Sequence, residues 1–434
     1  MENPRTLFLP TDEAVQARLS SVHVANYSRT RNHLDGAVTY LSPYLTHGFL
    51  SLAEVVESTR KNQSLEPSDK LFSEFAWRAF FHHVWSHLGD DIFQSIRPGL
   101  QDVNYQHEIP HDVIEARTGL AVIDMAVQTL YATGYLHNHA RMWLASYLVH
   151  LRHIHWRVGA DWLYGHLLDG DLASNHLSWQ WVASTFSVKP YLFNAENVAR
   201  YAPSDWHCPA SLLDTSYEHL EAMARGFDEP RRRKFDSSEE RRGFGLTSAE
   251  IPDLLSAPPK VTHPKLFGMN HVSNTNETGR VGGNRDLSDL SHVLRERSPG
   301  EIELVHAWSL REKSLGLAGV SSPLLRLGLI HLPGRETFPW SEKRWDFVLQ
   351  RMCELCDFVF VGDAKDLFKV LPEPAVLYTQ PEIGCTETKN LFNNQRIQWQ
   401  ESRPLFEEPQ KLCTSFSKYI RAARVVNNDS VQSR

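Results

Sequence analysis

The chain has 434 residues, more than one compact core usually holds, so two or three domains are expected. Apolar residues make up 41 %, charged residues 22 % and aromatics 11 %, which excludes a wholly disordered or fibrous chain. A net charge of −7 excludes nucleic-acid binding through bulk positive charge, though not through a local basic groove.

The N-terminus has no apolar run behind a positive start, and nothing approaches the roughly eighteen apolar residues of a membrane span. Five scattered cysteines do not suggest a disulfide framework, so a reducing, cytoplasmic setting is expected. Residues 1–225 read as almost entirely helical. Leu120, Ile123, Val127, Leu130 and Tyr131 fall on one face of a helix behind Thr118-Gly119; Met142, Ala145, Leu148 and Leu151 do so behind Thr133-Gly134. This part is acidic, with 16 Lys and Arg against 24 Asp and Glu. Residues 226–300, with the run Arg231 to Lys234, read as a polar linker, and its GRVGG (279–283) as loop. From 301 to 425, IELVHAW, LRLGLIHL, DFVFVGD and PAVLYT read as short buried strands. An amphipathic helix at 341–356 lies among them, which makes a small α/β domain; 426–434 is a tail. The expected fold is therefore a mostly α N-terminal unit followed by a smaller α/β unit.

The densest chemical signal lies in 133–184. Asn138 and Arg141 open a helix. Asp169, Gly170 and Asp171 form a tight turn, with Asn175 one helical turn beyond and Trp179 one further. Carboxylates beside an arginine can pair with a polar heterocycle, and Trp179 with Trp181 supplies an aromatic wall. The same residues also suit a buried Arg–Asp pair and core tryptophans. Cys353 and Cys356, with Cys385 and Cys413, read as core cysteines rather than a metal site, and His82-His83 as ordinary helix residues.

The segment TGYLHNHARMWLASYLVHLRHIHWRVGADWLYGHLLDGDLASNHLSWQWVAS closely resembles the FAD-binding helical domain of DNA photolyases and cryptochromes. LDGAVTYLSPYLTHGFLS (34–51) is similar to that family's flavin phosphate loop, SEFAWRAFFHHV (73–84) to its substrate-facing helix, and PYLFNAENVARYAP (190–203) to its closing segment. The resemblance spans roughly residues 20–205. It implies FAD as cofactor, with Tyr27, Thr39, Leu41 and Ser42 at the diphosphate, Arg78 beside the pocket and Arg141 paired with Asp169 at the ring. Gly170 lies in the turn, Asp171 accepts from the polar edge, and Asn175 faces flavin N5. It also implies Glu74, Trp77, Asn138, Met142 and Trp181 as the surfaces for a flipped-out thymine pair. Trp156 and Trp179 match the inner electron-relay tryptophans; they, Asn175 and Glu74 are the expected catalytic residues. The implied reaction is light-driven: reduced flavin lends one electron to a cyclobutane pyrimidine dimer in DNA, the ring splits, and the electron returns. Single-stranded DNA is the expected better substrate. The rival reading is a blue-light sensor that signals to a protein partner.

Three departures stand out. Val103 occupies the usual outer tryptophan position, with Tyr105, Trp143 or Trp162 as substitutes. The phosphate loop reads V-T-Y-L-S where the family usually has T-S-x-L-S. The family's N-terminal α/β antenna domain is not at the start of this chain; 301–425 is either its permuted counterpart or an unrelated addition, and no antenna chromophore is identified.

Overall fold

The computed structural model describes residues 8–100, 103–236, 245–259, 263–268, 286–312, 324–373, 375–381 and 397–426. The N-terminal part is helical. Its main helices are α1 (Asp12–Ser20), α2 (Val24–Thr30), α3 (Leu52–Asn62), α4 (Lys70–Leu88), α5 (Ala121–Thr133), α6 (Asn138–Ser146), α7 (Trp156–His166) and α8 (Leu172–Val182). Capping residues fix several of these boundaries. Ser51 and Glu54 form a reciprocal capping box on α3. Gly134 ends α5 in the left-handed region at φ +68°, where its N–H reaches Leu130. A Cβ there would lie 2.8 Å from Leu168 Cγ, so the residue must be glycine for the turn before Asp169 to pack beside it. Val127, Leu130, Leu144, Leu163 and Trp179 belong to one apolar core.

The C-terminal part contains strands β1 (Leu266–Phe267), β2 (Glu301–His306), β3 (Leu325–His331), β4 (Phe358–Gly362), β5 (Val376–Thr379) and β6 (Ile397–Trp399). They form one parallel sheet in the order β1-β4-β3-β2-β5-β6. Helices α9 (Leu287–Arg297), α10 (Glu342–Leu355), α11 (Ala364–Val370) and α12 (Phe416–Ala422) accompany it. The period-2 alternation of strands gives each sheet face its own partner. Leu304, Leu327, Leu329 and Phe360 pack with α9 and α11. Val305, Ile330, Val359 and Val361 share a core with Trp345, Val348 and Met352 of α10 and with Val15, Tyr44 and Phe49 of the helical part. Helix α10 is thus sandwiched between sheet and helical part, which makes this an α/β layer docked on a helical one.

The stretch 226–300, polar in sequence, supplies more than a linker. Leu290 and Leu294 of α9 are fully buried against the sheet, and β1 forms its edge beside β4. A narrow apolar stripe suffices to bury an otherwise charged helix. GRVGG and Cys385 lie outside the described residues. Cys353 sits at partial burial, Cys356 and Cys413 are buried, and no metal-binding cluster occurs among the described residues. No described helix is long and apolar enough to cross a membrane.

Two buried arginines of α10 join the layers. Arg351 reaches Asp12 at 2.7 Å and lies 4.8 Å from the Phe49 ring centre. Arg344 donates to the carbonyl of Gly170 at 2.6 Å. The ring nitrogens of buried His47 lie 2.6 Å from Ala307 O and 2.9 Å from Leu168 O, one carbonyl from each layer.

Candidate flavin site

Asp169 and Asp171 meet different partners from their turn. The Asp169 carboxylate takes Arg141 Nη2 at 2.9 and 2.8 Å, while Arg141 Nε donates to Leu136 O at 2.7 Å. The guanidinium also lies 5.3 Å from the Tyr135 ring centre. Asp171 is the N-cap of α8: one oxygen accepts from Ser174 N at 2.7 Å, the other from Arg78 at 3.2 Å and from His82 at 2.8 Å. Burial pushes the Asp171 pKa up, but the charges of Arg78 and His82 and its hydrogen bonds outweigh that and hold it well below the usual carboxylate range. His82 is therefore no ordinary helix residue. It stands one turn beyond Arg78 on the same face of α4, a spacing that could have flagged it. His83, likewise, is a pinned residue: Nδ1 donates to Glu408 at 2.9 Å and Nε2 accepts from Cys413 N at 3.0 Å.

Asn175 donates its amide to Ala160 O at 2.8 Å, which commits the donor end and leaves Oδ1 to accept. Trp179 is 3 % exposed and packs on α7 where it passes Gly159. Trp156, one turn before Gly159, donates to Ser95 Oγ at 2.9 Å. Trp181 is 36 % exposed and packs near Tyr191, so the expected aromatic wall of Trp179 with Trp181 is corrected. Residues two apart on a helix do not share a face.

The expected diphosphate residues cluster less tightly. Leu41 is fully buried and precedes the short helix Ser42–Thr46; Thr39 Oγ1 accepts from Leu41 N at 3.4 Å; Tyr27 is half-buried on α2. Tyr40 between them holds φ at +52°, and its ring packs 5.4 Å from Tyr135 with Arg18 above it at 5.2 Å. A bulky side chain in the left-handed region is a strained conformation that packing must enforce.

Of the expected substrate residues, Glu74 is exposed and lies 3.6 Å from Arg31, and exposed Asn138 points its amide at Met142 Sδ 3.8 Å away. Trp77 is covered. Phe416 of α12 stacks on it at 4.0 Å and 5°, so a base meeting that face would have to displace the chain's own C-terminal helix. Val103 borders a second, open cavity. Tyr105 lies 6.2 Å from His155, itself 5.8 Å from Trp156, whereas Trp143 bonds Asn197 and Trp162 packs on Tyr131.

A cavity of about 1000 Å³ lies between the layers. Arg78, His82, Asp171 and Leu172 line one side; Trp308, His331 and Gln380, at the carboxyl ends of β2, β3 and β5, line the other. The strand order reverses between β2 and β5, where open α/β sheets usually hold ligands. Tyr27, Arg141 and Asn175 do not line it. The residues present fit a flavin: Arg141–Asp169 offers a paired donor and acceptor, Asn175 an oriented acceptor, and the buried Ser174 hydroxyl between Asp171 and Asn175 has no partner among the described residues.

Residues 71–204 match the family described as the FAD binding domain of DNA photolyase. The chain is 35 % identical to the deoxyribodipyrimidine photo-lyase of Streptomyces griseus over 163 residues, covering 37 % of this chain and 36 % of that protein. It is 31 % identical to that of a Synechococcus species over 207 residues, covering 44 % and 43 %. A solved cryptochrome of Synechocystis is 27 % identical, with a TM-score of 0.40 over 44 % of this chain and 42 % of that one. The chain therefore spans less than half the length of these relatives. Over residues 71–204 the chain is thus similar to the FAD binding domain of DNA photolyase, and FAD is the cofactor that such a domain binds.

Proposed function

We propose that this chain is a photolyase-like flavoprotein that uses light to split cyclobutane pyrimidine dimers in DNA. The observation that carries the reading is the joint arrangement of Arg141–Asp169, Asp171–Arg78 and Asn175 on the matched segment, with Trp179 and Trp156 behind it. FAD, when bound and reduced, supplies a photoexcitable one-electron donor. The chain's own residues orient and shield. Arg141, neutralised by Asp169, offers a donor without adding net charge. Asn175, itself 8 % exposed, offers an uncharged acceptor. Trp179 and Trp156 are both nearly closed to solvent, as electron-relay residues require, and the Trp156 indole is fixed by its bond to Ser95. Glu74, Asn138 and Met142 remain accessible for a flipped-out base, and Trp181 offers a partly exposed ring. No nucleophile is required.

The test is illumination of the reduced, FAD-loaded protein with irradiated oligothymidine. Restored thymine absorbance supports repair, and single strands are the better substrate because the helical part is acidic and an unpaired dimer needs less unstacking. Flavin binding and photoreduction without repair of single or double strands would replace this reading with a light sensor. One observation favours that second reading: Trp77 is stacked under Phe416.

A further inference from the structure

We propose that Arg344, carried by the α/β layer, is a positioning residue of the flavin site and makes that layer part of it. The inference rests on the FAD reading above and extends it to a residue outside the matched segment. Arg344 is fully buried. Its Nη2 donates to Gly170 O at 2.6 Å and its Nη1 to Tyr164 O at 3.2 Å. Its guanidinium lies 4.7 Å from the Tyr164 ring centre and 4.2 Å from that of Trp340, which holds it flat. No carboxylate lies within ion-pair distance among the described residues, and Nε has no partner.

That is an unusual way to bury a cation. A guanidinium taken out of water normally needs a carboxylate. Among the described residues, the carboxylate that acts on it is that of Asp169, already paired with Arg141, and the contact made is to the carbonyl between Asp169 and Asp171. Arg344 therefore acts on the peptide that sets the direction of both carboxylates. The fit is close: a Cβ on Gly170 would fall 2.4 Å from Arg344 Nη1 and 2.6 Å from Tyr164 O. Seven residues along the same helix, Arg351 is equally buried and also joins the layers, but it meets Asp12, Leu310 and Phe49 and nothing of the turn. The two arginines separate layer docking from control of the turn.

The experiment uses the full chain stripped of FAD and titrated with FAD. Arg344→Met and Gly170→Ala should each weaken FAD binding at least tenfold and alter the vibronic structure and reduction potential of whatever flavin is retained. Arg344→Lys should recover part of the affinity. Arg351→Met should lower the melting temperature of the flavin-free chain, yet leave the affinity and spectrum of bound FAD as in wild type. Equal losses of affinity in Arg344→Met and Arg351→Met would overturn the proposal, as would a wild-type flavin spectrum, potential and affinity in Arg344→Met. A wild-type chain that takes up no FAD would instead remove the reading on which the proposal rests. If Arg344→Met does not fold, Gly170→Ala and Arg344→Lys, each compared with Arg351→Met, decide it by the same criteria.

Discussion

At the scale of single residues, the turn Asp169-Gly170-Asp171 divides its work. Asp169 serves Arg141, and Asp171 serves the start of α8 together with Arg78 and His82. The Asp169 side chain is 4 % exposed and that of Arg141 23 %, so removing the carboxylate strands a largely buried cation. Asp169→Ala is expected to destabilise the chain by about 3–5 kcal/mol and to abolish FAD uptake. Urea unfolding of the flavin-free variant, with absorbance at the flavin bands after reconstitution, checks both; a yellow Asp169→Ala protein contradicts the assignment. The order of these residues is legible in the sequence because each one must have its own chemistry. Arg344 and Phe416 are not, because nothing local distinguishes them: their roles arise from partners 174 and 339 positions away, at Gly170 and Trp77, and of His82 only the spacing from Arg78 is local, its partner Asp171 lying 89 positions away.

At the scale of elements, two contacts set the site. Helices α7 and α8 meet where Trp179 crosses Gly159, and a Cβ there would lie 2.3 Å from the indole. Gly159→Ala must push Trp179 aside, costing about 1–3 kcal/mol by overpacking and slowing photoreduction of bound flavin. Transient absorption of the variant against wild type reads the second effect, and an unchanged radical yield would count against the relay role of Trp179. The other contact is α12 on α4. Phe416 covers Trp77, and the adjoining segment is tied down by His83 to Glu408 and Cys413. Phe416→Ala is expected to uncover the indole, red-shift its fluorescence, and raise the affinity for dimer-containing single strands severalfold, since base–aromatic stacking is worth about 1–3 kcal/mol. Fluorescence anisotropy with a labelled oligonucleotide measures the affinity; no gain would mean that Trp77 is core and that bases stack elsewhere.

At the scale of the whole molecule, burial of histidines makes the fold acid-labile. Burial lowers His137 and His150 to about 4 and His166 to about 3, against an unfolded value near 6.5. Below about pH 6.5 the unfolded chain takes up protons that the native one refuses, so these groups cost stability as pH falls toward their native values. Each contributes a slope of at most about 1.4 kcal/mol per pH unit. The urea midpoint should be level from pH 8 to 7 and fall steadily from 6.5 to 5; a midpoint level down to pH 5 would refute this.

Much of the architecture is written in local pattern. Three- and four-residue apolar spacing marks α5 and α6, and short apolar runs mark β2 to β5, because period and composition act within one element. The Asp-Gly-Asp turn and the asparagine and tryptophan beyond it are local too, which is why their resemblance to a flavin domain could be read before any folding. Strand order, the burial of α9, the docking of α10 between two layers and the capping of Trp77 are not local. They depend on which apolar faces meet once the chain closes, an outcome of summed burial over distant segments rather than of any one stretch. Tertiary packing alone therefore decided that a guanidinium from the α/β layer would rest on the peptide between Asp169 and Asp171.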